Sequence, residues 1–198
     1  MDMKKRLLLW CTGLACVAAC RQPQEVSPQG DVIPLYNRFH GKYSLVHATS
    51  SEAVDVNLDG KASTDLLDEL TDLRQTNIEV RIYGKTPFNP EPSFLFAHQW
   101  PKQEFFPEKP AGYVPGLQPR YATKVVVRSF AFDPSLTELV LETPASMLAD
   151  PDLYTPLQSV TVQTGDRIEV TFTKRLYTSA GWKTVRVTSL YARYTMTT

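Results

Sequence analysis

Strict alternation of apolar and polar residues is the feature that most constrains the fold of this chain. It is clearest in residues 167–172, where Ile168, Val170 and Phe172 alternate with charged or hydroxyl-bearing neighbours. A two-residue period puts alternate side chains on opposite faces, which predicts a strand with one buried face. Fifteen prolines against nine glycines disfavour long helices. We therefore expect an all-β protein.

Similar segments recur between turn residues along the 198-residue chain, whose length suits one domain. The predicted strands cover residues 41–47, 77–84, 94–100, 104–106, 123–132, 137–142, 160–162, 167–172 and 182–194. This spacing predicts an up-and-down antiparallel β-barrel of about eight strands, because an open sheet would leave its edges exposed. The residues expected to face the interior are Val125, Val127, Ile168, Val170, Phe172, Val185 and Val187.

One segment departs from the two-residue period. Four leucines recur at helical spacing, namely Leu66, Leu67, Leu70 and Leu73. Ser63 or Thr64 can cap this segment, and Asp65, Asp68 and Glu69 add negative charge where the helix dipole favours it. We expect one short α-helix after the first strand, lying against the barrel.

The first twenty residues are typical of an export signal. Three basic residues precede the apolar stretch Leu7–Ala19, which is too short to span a bilayer. The stretch ends in Val-Ala-Ala-Cys, with Cys20 last, and resembles the lipobox of bacterial lipoproteins. The resemblance implies cleavage before Cys20 and its acylation, for example with palmitate. The alternative is a plain secretory signal that is cut near the same point.

These features divide the chain into three predicted parts. Residues 1–19 form a lipoprotein signal peptide, residues 20–37 the lipidated cysteine and a flexible tether, and residues 38–198 the barrel domain. All three cysteines lie in the first twenty residues, which excludes disulfides, a zinc ribbon and a cysteine nucleophile in the barrel. Basic and acidic residues number 21 each, so we expect no nucleic acid partner.

Residues 55–61 match the opening of a calcium-binding loop, with the pattern D-x-[DN]-x-[DN]-G. The candidate ligands are the side chains of Asp55, Asn57 and Asp59 and the carbonyl group of Lys61. Leu66 stands where an EF-hand has its closing glutamate, so we expect Asp65 to close the site. A Ca²⁺ ion here would be structural. The alternative interpretation is a polar turn that precedes a helix.

No other pattern in the chain indicates chemistry. His40, His47 and His98 lack metal-ligand spacing, and the acidic pair Asp150 and Asp152 lies in a proline-containing loop. Motifs of serine hydrolases, zinc proteases, P-loop proteins and dinucleotide-binding proteins do not occur. We therefore expect the protein not to be an enzyme.

Taken together, these residues make the chain similar to the lipocalin-like lipoproteins of the Bacteroidetes cell envelope. The likeness rests on the lipobox, the opening Gly41-Lys42-Tyr43, the loop of residues 55–65 and the closing strand of residues 182–194. It implies a lipocalin-like barrel in which Tyr43 takes the place of the family's first-strand tryptophan. It also implies that Arg193, from the last strand, packs across Tyr43 at the closed end of the barrel. Barrels of this family commonly hold a small apolar ligand.

The predicted function is that of a lipid-anchored barrel that binds a small apolar or amphipathic ligand. We expect an outer-membrane lipoprotein that faces the periplasm, since no acidic run follows Cys20. One alternative is an envelope interaction module with a filled interior, whose Pro- and aromatic-rich loops contact a protein or a glycan. The bulky residues predicted for the interior favour such filling. A hydrolase or isomerase built in the barrel is a third alternative, and the sequence identifies no protein partner.

Overall fold

The computed structural model of the chain describes residues 32–105, 110–143 and 156–198. In these ranges the protein is mostly β-structure, as the sequence predicts. The described strands are β1 (Gly41–Val54), β2 (Ser63–Asp65), β3 (Asn77–Tyr83), β4 (Ser93–Glu104), β5 (Arg120–Phe132), β6 (Leu139–Leu141), β7 (Leu157–Gln163), β8 (Arg167–Thr178) and β9 (Gly181–Thr195). The described helices are α1 (Val32–Phe39), α2 (Leu66–Glu69) and a 3₁₀ turn (Thr71–Gln75).

Eight of these strands form a nearly closed antiparallel barrel in up-and-down order, which confirms the predicted fold class. β1 pairs with both β3 and β9, and this pairing joins the first and last strands of the barrel. Glu138, immediately before β6, forms an isolated antiparallel bridge with Thr161 of β7. The Val162 N–H also donates to the Thr137 carbonyl over 2.7 Å. The short strand β2 pairs only with β1, outside the barrel circle.

On β8 and β9, apolar residues at every second position face the interior of the barrel. Ile168, Val170, Phe172, Val185 and Val187 are all buried, as predicted. Each of these strands therefore turns one apolar face toward the core and one mixed face outward.

On β5 the predicted interior face is wrong. Val125 and Val127 are 53% and 42% exposed, whereas Arg128, Phe130 and Phe132 are buried. Three consecutive valines occupy both faces of this strand, so hydrophobicity alone does not identify the inner one. The consequence is that a basic side chain, Arg128, lies inside the barrel.

A second difference concerns the predicted strands of residues 94–100 and 104–106, between which Pro101 lies. β4 instead continues through Pro101 to Glu104, and Pro101 pairs with Thr123 of β5. The β3 pairing ends at His98, so beyond that point β4 has a paired strand on one side only. A proline, which has no N–H group, is tolerated at such a position because the strand forms backbone hydrogen bonds on one side only.

Helix α1 closes one end of the barrel. It occupies residues 32–39 and thus includes the last six residues of the segment that we expected to be a flexible tether. Leu35 and Phe39 are buried, and the rings of Phe39 and Phe132 lie 4.6 Å apart. This burial stabilises a helix that the polar residues before it do not suggest. Cys20 and the predicted signal peptide lie outside the described residues.

The predicted helix after the first strand is present but shorter than its leucine spacing suggests. It forms one α-helical turn, α2, followed by the 3₁₀ turn, and Leu66, Leu70 and Leu73 are buried along it. Its N-cap is Asp65 rather than Ser63 or Thr64, which belong to β2. Within the described ranges, no helix has the length and apolar content needed to cross a bilayer.

Candidate functional site

Tyr43 and Arg193 are cross-strand partners on β1 and β9, at the end of the barrel that α1 closes. The Tyr43 hydroxyl donates to the Phe39 carbonyl over 2.6 Å, and Arg193 Nη1 donates to the Asn37 carbonyl over 3.2 Å. Arg193 Nη2 also lies 2.9 Å from Asp166 Oδ1. Burial raises the pKa of Tyr43 to about 12, which keeps its hydroxyl protonated as a donor. The structure thus brings the two predicted residues together at the closed end.

His40 belongs to this same closed end and has a structural role. Its Nδ1 accepts a hydrogen bond from the Ile82 N–H over 2.9 Å, and its Nε2 lies 3.2 Å from the Thr198 hydroxyl. Burial is the main cause that lowers the pKa of His40, with smaller contributions from the charges of Arg193 and Arg81. A neutral imidazole is required here, because Nδ1 must keep its lone pair to accept from Ile82.

The loop of residues 55–61, at the other end of β1, folds around its own carboxylates. Asp55 is 4% exposed, and its Oδ2 accepts from the Gly60 N–H over 3.1 Å. The Asn57 Oδ1 accepts from the Asp59 N–H over 2.9 Å, and the Asp59 Oδ1 accepts from the Lys61 N–H over 2.8 Å. Gly60 has a φ of +87°, which lets the chain turn sharply at this point.

The structure gives Asp65 a different role from the predicted one and brings Glu69 to the loop. Asp65 Oδ1 accepts from the Leu67 N–H over 2.9 Å and so caps α2. Glu69 is 3% exposed, and its Oε2 accepts from the N–H groups of Val56 and Asn57 over 2.7 and 3.4 Å. The loop therefore closes on a carboxylate fourteen residues after Asp55, rather than on Asp65.

Negative charge accumulates around Glu69. Burial is the main cause that raises the pKa of the Glu69 carboxyl. Hydrogen bonds from the Val56 and Asn57 N–H groups lower this pKa, whereas the charges of Asp55 and Asp59 raise it. In the ranges that the structure describes, no three His, Cys, Asp or Glu side chains converge as a ready-made metal centre. A cation at this loop would therefore need amide and carbonyl oxygens besides carboxylates.

A second cluster lies inside the barrel around His98. The His98 Nε2 lies 3.3 Å from the Tyr191 hydroxyl, and the His98 ring is 5.2 Å from that of Phe172. Burial lowers the pKa of His98 to about 3, and the charges of Arg128 and Lys174 contribute to the decrease. His98 is therefore neutral at physiological pH, and two buried basic side chains, Arg128 and Lys174, lie near enough to affect it.

The same interior contains a free hydrogen-bond donor. Trp100 is 4% exposed, and its Nε1–H has no hydrogen-bond acceptor among the described residues. Its ring meets Phe172 edge to face, with centroids 4.8 Å apart. Arg128 and Lys174 are only 4% and 7% exposed. Buried cations, an N–H donor and aromatic walls are together suited to an anion with an apolar part.

Sequence reasoning missed Glu69, Trp100, Arg128 and Lys174 as functional residues. A signal was available for Lys174, which continues the buried alternation two positions after Phe172. Arg128 shares its face with Phe130 and Phe132 in the same way. No protein-family model matches the chain, and no curated protein gives a significant match.

Proposed function

We propose that this protein is a lipid-anchored, non-enzymatic β-barrel of the bacterial cell envelope that binds a small amphipathic anion in its interior. The observation that carries this proposal is the burial of two basic side chains, Arg128 and Lys174, in the barrel near His98. The resemblance of the sequence to lipocalin-like lipoproteins supports the envelope location. It also supports acylation of Cys20 and an outer-membrane position facing the periplasm.

Burying two charged side chains inside a barrel lowers the stability of the folded protein. Burial of a cation is unfavourable unless hydrogen bonds or opposite charge compensate it. A ligand carboxylate, sulfate or phosphate would add negative charge beside Arg128 and Lys174 and could also accept from the Trp100 N–H. Each of these contacts favours an anion over a neutral molecule of the same size.

The buried carboxylates of the described residues have partners elsewhere. Glu79 Oε2 accepts from Arg81 Nε over 2.8 Å, and Glu79 Oε1 lies 3.6 Å from Lys42 Nζ. Asp55 and Glu69 accept from backbone N–H groups of the 55–61 loop and its start.

The ligand's apolar part would contact aromatic rings. Phe172 and Trp100 border His98, and Phe96 lies 6.5 Å from it, centroid to centroid. Apolar contact with such walls stabilises a bound hydrocarbon group by about 25 cal/mol per Å² of surface removed from water. An amphipathic anion could contact both the charged and the aromatic side chains of this interior.

The predicted lipid anchor is close in sequence to the helix α1. Eleven residues lie between Cys20 and Val32, the first residue of α1, so the two Cα atoms are twelve residue steps apart. Even fully extended, that length spans at most about 40 Å. The acylated cysteine would therefore hold the closed end of the barrel near the membrane and leave the other end free to receive a ligand.

A second candidate function is that of an interaction module. Its support is the loop around residues 110–114, which packs on the barrel while presenting apolar side chains outward. The Tyr177 hydroxyl donates to the Gly112 carbonyl over 2.9 Å and accepts from the Val114 N–H over 2.6 Å. Tyr113 is 45% exposed, and Phe88, in another loop, is 98% exposed. A protein or glycan partner could contact such residues.

Native mass spectrometry tests the ligand-binding proposal. The chain would be expressed in a bacterial periplasm with Cys20→Ser, so that it carries no acyl group of its own. We expect a population with one additional small acidic molecule, which chloroform–methanol extraction would release for identification. Repeated observation of the bare chain alone, from several expression hosts, would contradict the proposal and favour the interaction module.

A further inference from the structure

We propose that the loop of residues 55–61 is a Ca²⁺ site whose closing ligand is Glu69, and that Asp65 is not a ligand. The ligand set would comprise side-chain oxygens of Asp55, Asn57, Asp59 and Glu69 together with the Lys61 carbonyl. This inference is independent of ligand binding in the barrel, because the loop and the His98 cluster share no residue.

The decisive feature is an unsatisfied oxygen on Asp55. Its side chain is 4% exposed, and Oδ2 is directed into the loop by the Gly60 N–H. Oδ1 of the same carboxylate is buried and has no hydrogen-bond partner in the described part of the chain. A buried carboxylate oxygen without a donor is unfavourable, and a cation bound beside it would remove that cost.

Glu69 brings a second buried carboxylate to the loop. Its contact with the Val56 N–H, at 2.7 Å, holds the carboxylate against the beginning of the loop. Both contacts use Oε2 of the carboxylate, and in the proposed site Oε1 would bind the cation. Asp65, by contrast, uses its carboxylate to cap α2 through the Leu67 N–H.

All the proposed ligands are oxygen atoms, which favours a hard cation. Calcium accepts six to eight such ligands in flexible geometry, whereas magnesium requires a near-ideal octahedron. Asn57 and Asp59 each hold a backbone N–H of the loop, so their side chains must share or exchange these contacts on binding. We therefore expect an affinity like that of extracellular modules, with Kd about 10⁻⁴–10⁻³ M.

The ion would stabilise the end of the barrel opposite α1. The Ser179 N–H, in the turn between β8 and β9, donates to the Asp55 carbonyl over 3.1 Å. The Tyr121 hydroxyl, on β5, lies 3.5 Å from the Val56 carbonyl. A cation that rigidifies the loop would thus act on β1, β5 and the β8–β9 turn together.

Thermal unfolding of the Cys20→Ser chain with about 10 mM CaCl₂, with MgCl₂ or with EDTA tests the site directly. For an affinity in the expected range, calcium should raise Tm by roughly 3–6 °C over EDTA, and magnesium by less. Titration calorimetry should give one calcium per chain. Hydrogen exchange should slow in residues 55–61 and 178–181 when calcium is added.

Four variants separate the proposed ligands from their neighbours. Glu69→Gln, which can still accept from Val56, and Asp59→Ala, which removes a ligand oxygen, should abolish most of the calcium-dependent rise. Asp68→Asn, an exposed carboxylate on the same helical turn, should keep it. Asp65→Ala should lower Tm equally with calcium and with EDTA, since it removes only a helix cap. No shift in the unsubstituted chain would overturn the proposal, and so would a full shift in Glu69→Gln combined with its loss in Asp65→Ala.

Discussion

Tyr43 and Arg193 face each other across β1 and β9, and both donate hydrogen bonds to carbonyl groups at the C-terminal end of helix α1. Tyr43 reaches the Phe39 carbonyl over 2.6 Å, and Arg193 reaches the Asn37 carbonyl over 3.2 Å. The last carbonyls of a helix lack partners within the helix and favour a nearby positive charge. The first and last strands of the barrel therefore jointly hold the helix that closes it.

Loss of either side chain should loosen this closed end. We expect Tyr43→Phe to lower the free energy of unfolding by about 1 kcal/mol, because it leaves the buried Phe39 carbonyl with one hydrogen bond fewer. Arg193→Met should cost more, since it removes contacts to α1 and to Asp166. Urea titration measures both effects. Tyr194→Phe, at a side chain 57% exposed, is the matched control and should change nothing measurable.

The buried histidines predict loss of stability in mild acid. The pKa of His98 is about 3 in the folded protein, against the ordinary value of 6.5 in the unfolded chain. Below pH 6.5 the unfolded state binds a proton that the folded state does not, so the stabilisation present above pH 6.5 decreases as pH falls toward 3. Between pH 7 and pH 5 this group should reduce the free energy of unfolding by about 2 kcal/mol. His40, whose pKa is also lowered, acts in the same direction.

Urea titrations at the two pH values measure this dependence. His98→Phe should reduce the difference between pH 7 and pH 5, whatever its effect on absolute stability. His47→Gln, at an exposed position on β1, should leave the difference unchanged. An undiminished difference in His98→Phe would show that another group causes the acid sensitivity.

The orientation of β5 can be tested with a pair of identical substitutions. Val127 is 42% exposed, whereas Val187 is fully buried in the barrel. Val127→Thr should change the free energy of unfolding by less than about 0.5 kcal/mol. Val187→Thr should cost about 1–3 kcal/mol, because it buries a hydroxyl among apolar side chains. Equal costs, determined by chemical denaturation, would contradict the observed orientation of β5.

The position of Gly41, at the start of β1, does not accommodate a larger residue. Its φ is +145°, and an added Cβ would clash with the Thr195 carbonyl of β9. We expect Gly41→Ala to lower the free energy of unfolding by at least about 1–3 kcal/mol. Gly112→Ala is the matched control, because a Cβ there would meet no atom within 4 Å. Differential scanning calorimetry of the two variants would distinguish the two sites.

Much of the fold follows from short-range patterns. The alternation of residues 168–172 identifies β8 and its buried face, and the apolar spacing of Leu66, Leu70 and Leu73 identifies the buried face of the short helix. Both are local signals, because the period of the chain alone decides which side chains share a face. The barrel then follows from the number and spacing of such strands.

The remaining features depend on contacts between distant residues. The inner face of β5 is fixed by its pairing with β4, where Phe96 lies opposite Arg128, and the three valines of residues 125–127 do not identify it. The role of Glu69 depends on its distance from Val56, thirteen residues away along the chain. Spacing rules for calcium loops assume that one residue position closes the loop, and here the tertiary fold supplies a different one.

The most direct test of an anion-binding interior compares two probes with the same chain length, one with an anionic and one with a neutral head group. Titration calorimetry of the Cys20→Ser chain with dodecanoate and with dodecanol measures whether the interior prefers an anion. We predict that dodecanoate binds at least about tenfold more tightly, a difference of about 1.4 kcal/mol, and that Lys174→Met abolishes the preference. Lys85→Met, at a side chain 61% exposed, should preserve it. Equal affinity for the two probes, or a preference that survives Lys174→Met, would contradict an anion-binding interior.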